Sequence, residues 1–127
     1  MSWERQPVAA ALVGMLGPLD PSVSVFEAPP PTFNPPAWIV WYPQTVTYDA
    51  FAFGIDLVVL PILCVAGLGE WDRVDGLVVA AKKAVDADPQ LAGSVAVAKA
   101  ATNSGWRQLA VAGADYLGAD LVLEIRA

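Results

Sequence analysis

Residues 45–66 read TVTYDAFAFGIDLVVLPILCVA. Alternation at the start gives way to unbroken apolar character from Leu57 onward. In an extended chain, successive side chains point to opposite faces, so Phe51, Phe53, Ile55, Leu57 and Val59 share one face. The other face begins small and polar, with Ala52, Gly54 and Asp56. It turns apolar at Val58, Leu60, Ile62 and Cys64. The stretch predicts one long strand, or two shorter ones bent near Asp49 or Pro61, buried on both faces over part of its length. Two arrangements meet that burial equally well: a central strand covered by helices, and a strand that continues into a subunit interface.

Outward from this stretch the pattern changes period. On the N-terminal side, EAPPPTFNPPAW (27–38) holds five prolines. Each proline fixes its own φ and lacks an N–H, and each pushes the preceding residue toward extended conformations. The segment therefore predicts a stiff spacer, neither helix nor central strand. It reads equally as a preorganised arm reaching another subunit and as a rigid crossover between two strands of one subunit. Strands are expected on either side, at 22–27 (SVSVFE) and 37–42 (AWIVWY). Further upstream, Val8, Leu12, Met15 and Leu16 recur at helical spacing, with Pro7 suited to a first turn and Gly17-Pro18 to a stop.

On the C-terminal side, Trp71, Val74, Val78, Ala81 and Val85 mark a helical face, ended by Asp88-Pro89. Residues 94–101 fit strand or helix, and Asn103-Ser104-Gly105 predicts a loop. Leu121, Leu123 and Ile125 alternate with polar neighbours and predict a half-buried closing strand. Runs of strands broken by only two helices predict a single α+β domain with a mainly antiparallel sheet flanked by two main α-helices.

The chain has 127 residues, a formal net charge of −6, no histidine and one cysteine. Charged residues make up 16%, against about 25% in ordinary globular domains. A monomer with so few charges would expose much apolar surface, and oligomerisation is the simplest remedy. The apolar run at 57–67 is short of the roughly 18–20 residues a spanning helix needs. The first residues lack the basic region of a signal peptide. The expectation is a soluble protein made and used in a cytoplasm, with no membrane partner. The acidic balance argues against a nucleic-acid clamp.

Chemistry-bearing patterns are sparse. A hydrolytic triad usually needs a histidine base, and zinc sites need more nitrogen or sulfur ligands than Cys64 supplies. GLGEWD (67–72) reads as a turn, without a third glycine or a phosphate-binding lysine. Asp72 and Asp75 lie one helical turn apart, and their simplest reading is as charges at a helix N-terminus. Asp56, in an apolar strand, is a candidate perturbed acid. It could equally pair with Arg73 or Arg107, or sit at an exposed strand end. Cys64 reads as a small buried hydrophobe, and Lys82-Lys83 as a solvated helix end. Trp38, Trp41 and Trp71 fit core and interface alike. No catalytic, cofactor or metal residues are expected. The candidate interface residues are Pro29, Pro30, Pro31, Phe33, Pro35, Pro36, Trp38, Val58, Leu60 and Ile62.

The ordering of segments resembles the tail terminator and tail-completion (head–tail joining) proteins of long-tailed bacteriophages. PPAWIVWYP (35–43) and DPQLAGSV (88–95) carry most of the likeness, with VAAALVGMLGPL (8–19), TYDAFAFGIDLVVLPILCV (47–65) and YLGADLVLEIRA (116–127) in matching order. The resemblance implies a non-enzymatic virion protein, made in the host cytoplasm, that forms a six-membered ring. Such a ring caps the tail tube, stops addition of major tail protein and offers a surface to the head–tail connector, while DNA passes through without specific binding. A neighbouring connector ring is implied almost as readily. Outside this class, a small acidic binding or inhibitor protein fits the composition.

Overall fold

The computed structural model describes residues 3–52, 54–111 and 113–127. Its elements, in chain order, are α1 (Arg5–Leu16), a 3-10 turn (Gly17–Leu19), β1 (Ser24–Phe26), β2 (Ala37–Val40), β3 (Thr45–Ala52), β4 (Ile55–Ala66), α2 (Trp71–Ala87), β5 (Val97–Asn103), β6 (Arg107–Val111) and β7 (Ala114–Arg126). The fold is α+β: one seven-stranded sheet with two α-helices.

Two long strands form the centre. β4 and β7 pair antiparallel through ten residues each, from Leu57 opposite Arg126 to Ala66 opposite Leu117. Each long strand carries two short neighbours end to end on its other edge. β2 and β3 flank the two halves of β4. β6 and β5 flank the two halves of β7. All these pairings are antiparallel, and only the outermost pair, β1 with β2, is parallel.

Residues 45–66 are thus two strands of a hairpin. The reversal lies beside Gly54, whose φ of +78° suits glycine, and neither Asp49 nor Pro61 ends a strand. Asp49 instead marks an irregularity in β3 between Thr47 and Ala52, with a φ of +51°. Its carboxylate accepts the Gly54 N–H at 2.7 Å, which fastens the turn. Phe53 and the side chain of Ala52 lie outside the described residues.

Pro61 sits in mid-strand, a position that ordinarily removes a ladder bond. A strand residue points its N–H and C=O to the same side. The Pro61 carbonyl accepts the Trp41 N–H at 3.1 Å, and the Val59 carbonyl accepts the Gln44 N–H at 2.7 Å. The missing donor therefore faces residues 41–44, where the neighbour of β4 changes from β2 to β3. The ladder to β7 loses nothing.

The alternation along β4 sorts its side chains. Val58, Leu60, Ile62 and Cys64 face the helices, with Leu121, Leu123 and Ile125 of β7 beside them. Val8, Leu12 and Leu16 of α1 and Val74, Leu77, Val78, Ala81 and Val85 of α2 close this core. The Trp38 indole N–H donates to the Leu77 carbonyl at 3.0 Å and ties β2 to α2.

On the opposite face a smaller cluster gathers Ala37, Ile39, Leu63, Val65 and Val111, with Phe26, Phe33, Trp41, Leu109 and Tyr116 packed on it. Phe33 comes from the proline-rich segment. Its ring lies 4.8 Å from Tyr116 and 6.0 Å from Phe26, centroid to centroid. The segment is therefore a crossover from β1 to β2 that covers half of this face within one subunit. Its five prolines bring no N–H to leave unpaired.

Of residues 94–101, the first three are turn or bend and the rest begin β5. Sequence periodicity missed β6 and the first half of β7, because AVAGADYLGAD (110–120) is too rich in alanine and glycine to alternate clearly. Gly118 is buried under Leu109, and a Cβ there would lie 2.6 Å from the Leu109 side chain. Its smallness lets β6 cover the strand.

Because Phe33 anchors the crossover to its own sheet, Phe33→Ala should lower the stability of the isolated subunit. The expected loss is about 2 kcal/mol, near half the cost of truncating a fully buried phenylalanine. Denaturant titration of wild type and variant measures it. Unchanged stability combined with weakened assembly would return the segment to the role of an intersubunit arm.

Candidate functional site

Proline coverage stops halfway down the outer face. Below it, Leu57 and Val59 of β4 and Val122 of β7 are only half-buried. By register, Thr45 and Thr47 of β3 and Val97 and Lys99 of β5 flank them on the same face. Two grooves of about 370 Å3 each open on the outer face, one beside the crossover cluster and one on this bare half. One lies between Trp41 and Leu109, floored by Pro61 and Leu63. The other lies between Phe51 and Val97, floored by Leu57 and Arg126. The Arg126 guanidinium stacks 4.0 Å from the Phe51 ring centroid and holds that ring over the sheet.

A second apolar feature lies on the helix side. Trp71 opens α2, and Trp106 precedes β6. Their rings meet edge to face at 5.8 Å, and each residue is about half exposed, 53% and 51%. Leu68 is also exposed nearby in the chain. Tyr42 and Tyr48 are exposed on the β3 side, where Arg5 caps the Tyr42 ring at 4.5 Å. The Arg5 guanidinium also donates to the carbonyls of Glu27, Val40 and Trp41, fixing the start of α1 to the sheet.

Asp56 is a backbone clasp, without an arginine partner. Its carboxylate accepts the Trp3 N–H at 2.9 Å and the Asp49 N–H at 3.0 Å. Its own N–H and C=O exchange hydrogen bonds with Ala127 at 2.9 and 3.0 Å. One buried residue thus joins the N-terminal segment, the irregularity of β3 and the end of β7. The two amide donors hold its pKa below the ordinary 3.8 and outweigh the opposing effect of burial. The arginines considered as partners lie elsewhere: Arg107 pairs with Asp120 at 3.1 Å, and Arg73 approaches Asp20 at 3.5 Å.

Four expected interface residues are corrected by burial. Trp38, Val58, Leu60 and Ile62 are at most 1% exposed, inside the core that the helices close. Their apolar character serves the subunit itself, so a partner cannot reach them without unfolding it. Pro29, Pro30, Pro35, Pro36 and Phe33 are half-buried in the crossover, and Pro31 is exposed. Trp41 is half-buried on the outer face, and Trp71 points out of the core. Sequence reasoning passed over Phe51, Val97, Lys99 and Trp106 as surface residues. They share no sequence signal: Phe51 lies on the apolar side of an alternating stretch, Val97 and Lys99 stand among alanines, and Trp106 lies in a loop.

Among the described residues no group of three or more His, Cys, Asp or Glu side chains is placed to hold a metal. Cys64 is fully buried, and desolvation above all, with the charge of Asp120 second, pushes its thiol pKa upward. Asp72 and Asp75 are exposed on α2 and make no ion pair among the described residues. Among the described residues no helix is long and apolar enough to cross a membrane. In comparisons with known protein families and with curated protein sequences, nothing matches this chain.

The clasp has a pH signature. The carboxylate pKa is lower folded than unfolded, so its stabilisation is complete above about pH 3.8 and disappears as pH falls through the depressed folded value. Asp56→Ala should lower stability at neutral pH and flatten the stability profile below pH 4. Chemical denaturation across pH 2–7 on both proteins tests this. A variant as stable as wild type at neutral pH would refute the clasp.

Proposed function

We propose that this chain is a non-enzymatic structural protein of the phage virion, a tail terminator whose six copies close into a ring. The ring ends polymerisation of the tail tube and presents a surface to the head–tail connector. The observation that carries the reading is the bare half of the outer sheet face, with its groove and the exposed Phe51 and Val97. Exposed apolar side chains gathered around a groove suit an interaction site.

The asymmetry of the subunit surface suits a ring. The exposed aromatic corner on the helix side and the grooved face differ in shape and composition. Contacts between unlike patches run head to tail, and head-to-tail contacts close into rings when the rotation allows. The assignment to the end of a tail rests on the resemblance of residues 35–43 and 88–95. A net charge of −6 suits a channel that DNA crosses without sticking, since carboxylates repel phosphate.

Two outcomes are expected. Native mass spectrometry of concentrated protein should give about six times the 13.3 kDa chain mass. Duplex DNA should not bind measurably at physiological salt. A chain that is monomeric both in solution and in purified tails would overturn the ring. Submicromolar DNA affinity with a steep salt dependence would replace it with a nucleic-acid binder.

A further inference from the structure

Beyond ring formation as such, and resting on it, the structure carries an assignment of the subunit contact. The groove between Phe51 and Val97 is basic in an acidic chain. Among the described cations, Arg73, Lys82 and Arg107 are in ion pairs, and Arg5 is held by carbonyls. Of the remaining three, Lys99 and Arg126 both line this groove. Glu124 is the one carboxylate beside them.

The Trp71–Trp106 corner has the complementary character. Asp72 follows Trp71, and Asp75 sits four residues on, one turn along the same face of α2. Neither carboxylate has an ion-pair partner among the described residues. The corner is therefore an aromatic knob in an acidic setting, and the groove an apolar slot in a basic one. They lie on different faces of the subunit, the knob on the helix side and the groove on the outer sheet face.

Strand addition does not compete with this contact. The two free edge strands on this half of the sheet, β3 and β5, are both irregular. β3 breaks register between Thr47 and Ala52, and β5 between Ala100 and Thr102. Irregularities of this kind blunt an edge against pairing with another chain. Side chains are left to make the contact.

We infer that the Trp71–Trp106 corner of one copy docks into the Phe51–Val97 groove of the next, with Asp72 and Asp75 facing Lys99 and Arg126. The groove, at about 370 Å3, has room for an aromatic side chain. Its stacked Arg126 presents a second cation to an incoming indole.

Complementation between two defective proteins tests this contact. A corner variant, Trp71→Ala with Trp106→Ala, keeps its groove. A groove variant, Val97→Asp with Lys99→Glu, keeps its corner. All four positions are exposed, so both variants should fold. Alone, each should run as a monomer at concentrations where wild type forms rings. Mixed one to one, they should give a heterodimer and nothing larger, because one intact junction remains. The heterodimer itself certifies that both chains are folded. If a double variant fails to fold by circular dichroism, Trp106→Ala and Lys99→Glu replace the pairs, and the same mixture is read. Wild-type rings that persist in both variants would overturn this contact and leave the ring reading standing. Two monomeric, folded variants that do not combine would overturn the pairing of corner with groove. A wild type that is monomeric in solution would overturn this contact, and copy number in tails would then decide the ring separately.

Discussion

The ten-pair ladder between β4 and β7 is the constraint on which the rest of the subunit depends. Both strands are too long for any other strand to pair along their whole length. Each is therefore flanked on its far edge by two shorter strands in series. That arrangement needs a joint in the neighbouring chain, and in β4 the joint coincides with Pro61. A residue that would break an ordinary central strand is harmless there, because its missing donor faces residues 41–44 at the change of neighbour. The other groups on that edge, the carbonyls of Pro61 and Val59, are met by Trp41 and Gln44.

Coverage of the sheet then becomes unequal. Two helices close most of one face. The other face receives only the proline-rich crossover, anchored by Phe33 on Tyr116. Such a segment is well suited to lie on a sheet, since it needs few backbone partners and has little conformational freedom to lose. It is also short, and it leaves the half of the sheet nearest the β3–β4 turn bare. At that same end, Asp56 gathers the N-terminal segment, the β3 irregularity and the end of β7 by backbone hydrogen bonds. Backbone hydrogen bonds to this one buried residue tie that end of the sheet together.

An uncovered, partly apolar surface tied down by backbone hydrogen bonds suits an assembling subunit, since preorganisation lowers the entropy lost on docking. The proposed ring uses that surface directly. Its two unlike patches would give each subunit one donor and one acceptor, so growth is directional. The bulged edges would keep that growth from becoming open strand addition.

Much of the subunit was legible in the sequence. The 3.6-residue spacing of Val8, Leu12, Met15 and Leu16, and of Trp71, Val74, Val78, Ala81 and Val85, marked both helices and the faces they bury, except that Trp71 is exposed. The two-residue alternation through Val58, Leu60 and Ile62, and through Leu121, Leu123 and Ile125, marked the two strands that form the core, but for the first it left open which face turns inward. Such periodicities are local, and burial of one face follows from them directly. The β3–β4 reversal, β6 and the first half of β7 were not legible, because alanine and glycine carry no contrast between faces. Tertiary structure alone decided which apolar residues remain outside. Leu60 and Phe51 read alike in the alternation. Leu60 lies beneath two helices, whereas Phe51 lies on a face that the proline crossover does not reach. That difference depends on where a distant segment ends, and no local pattern contains it.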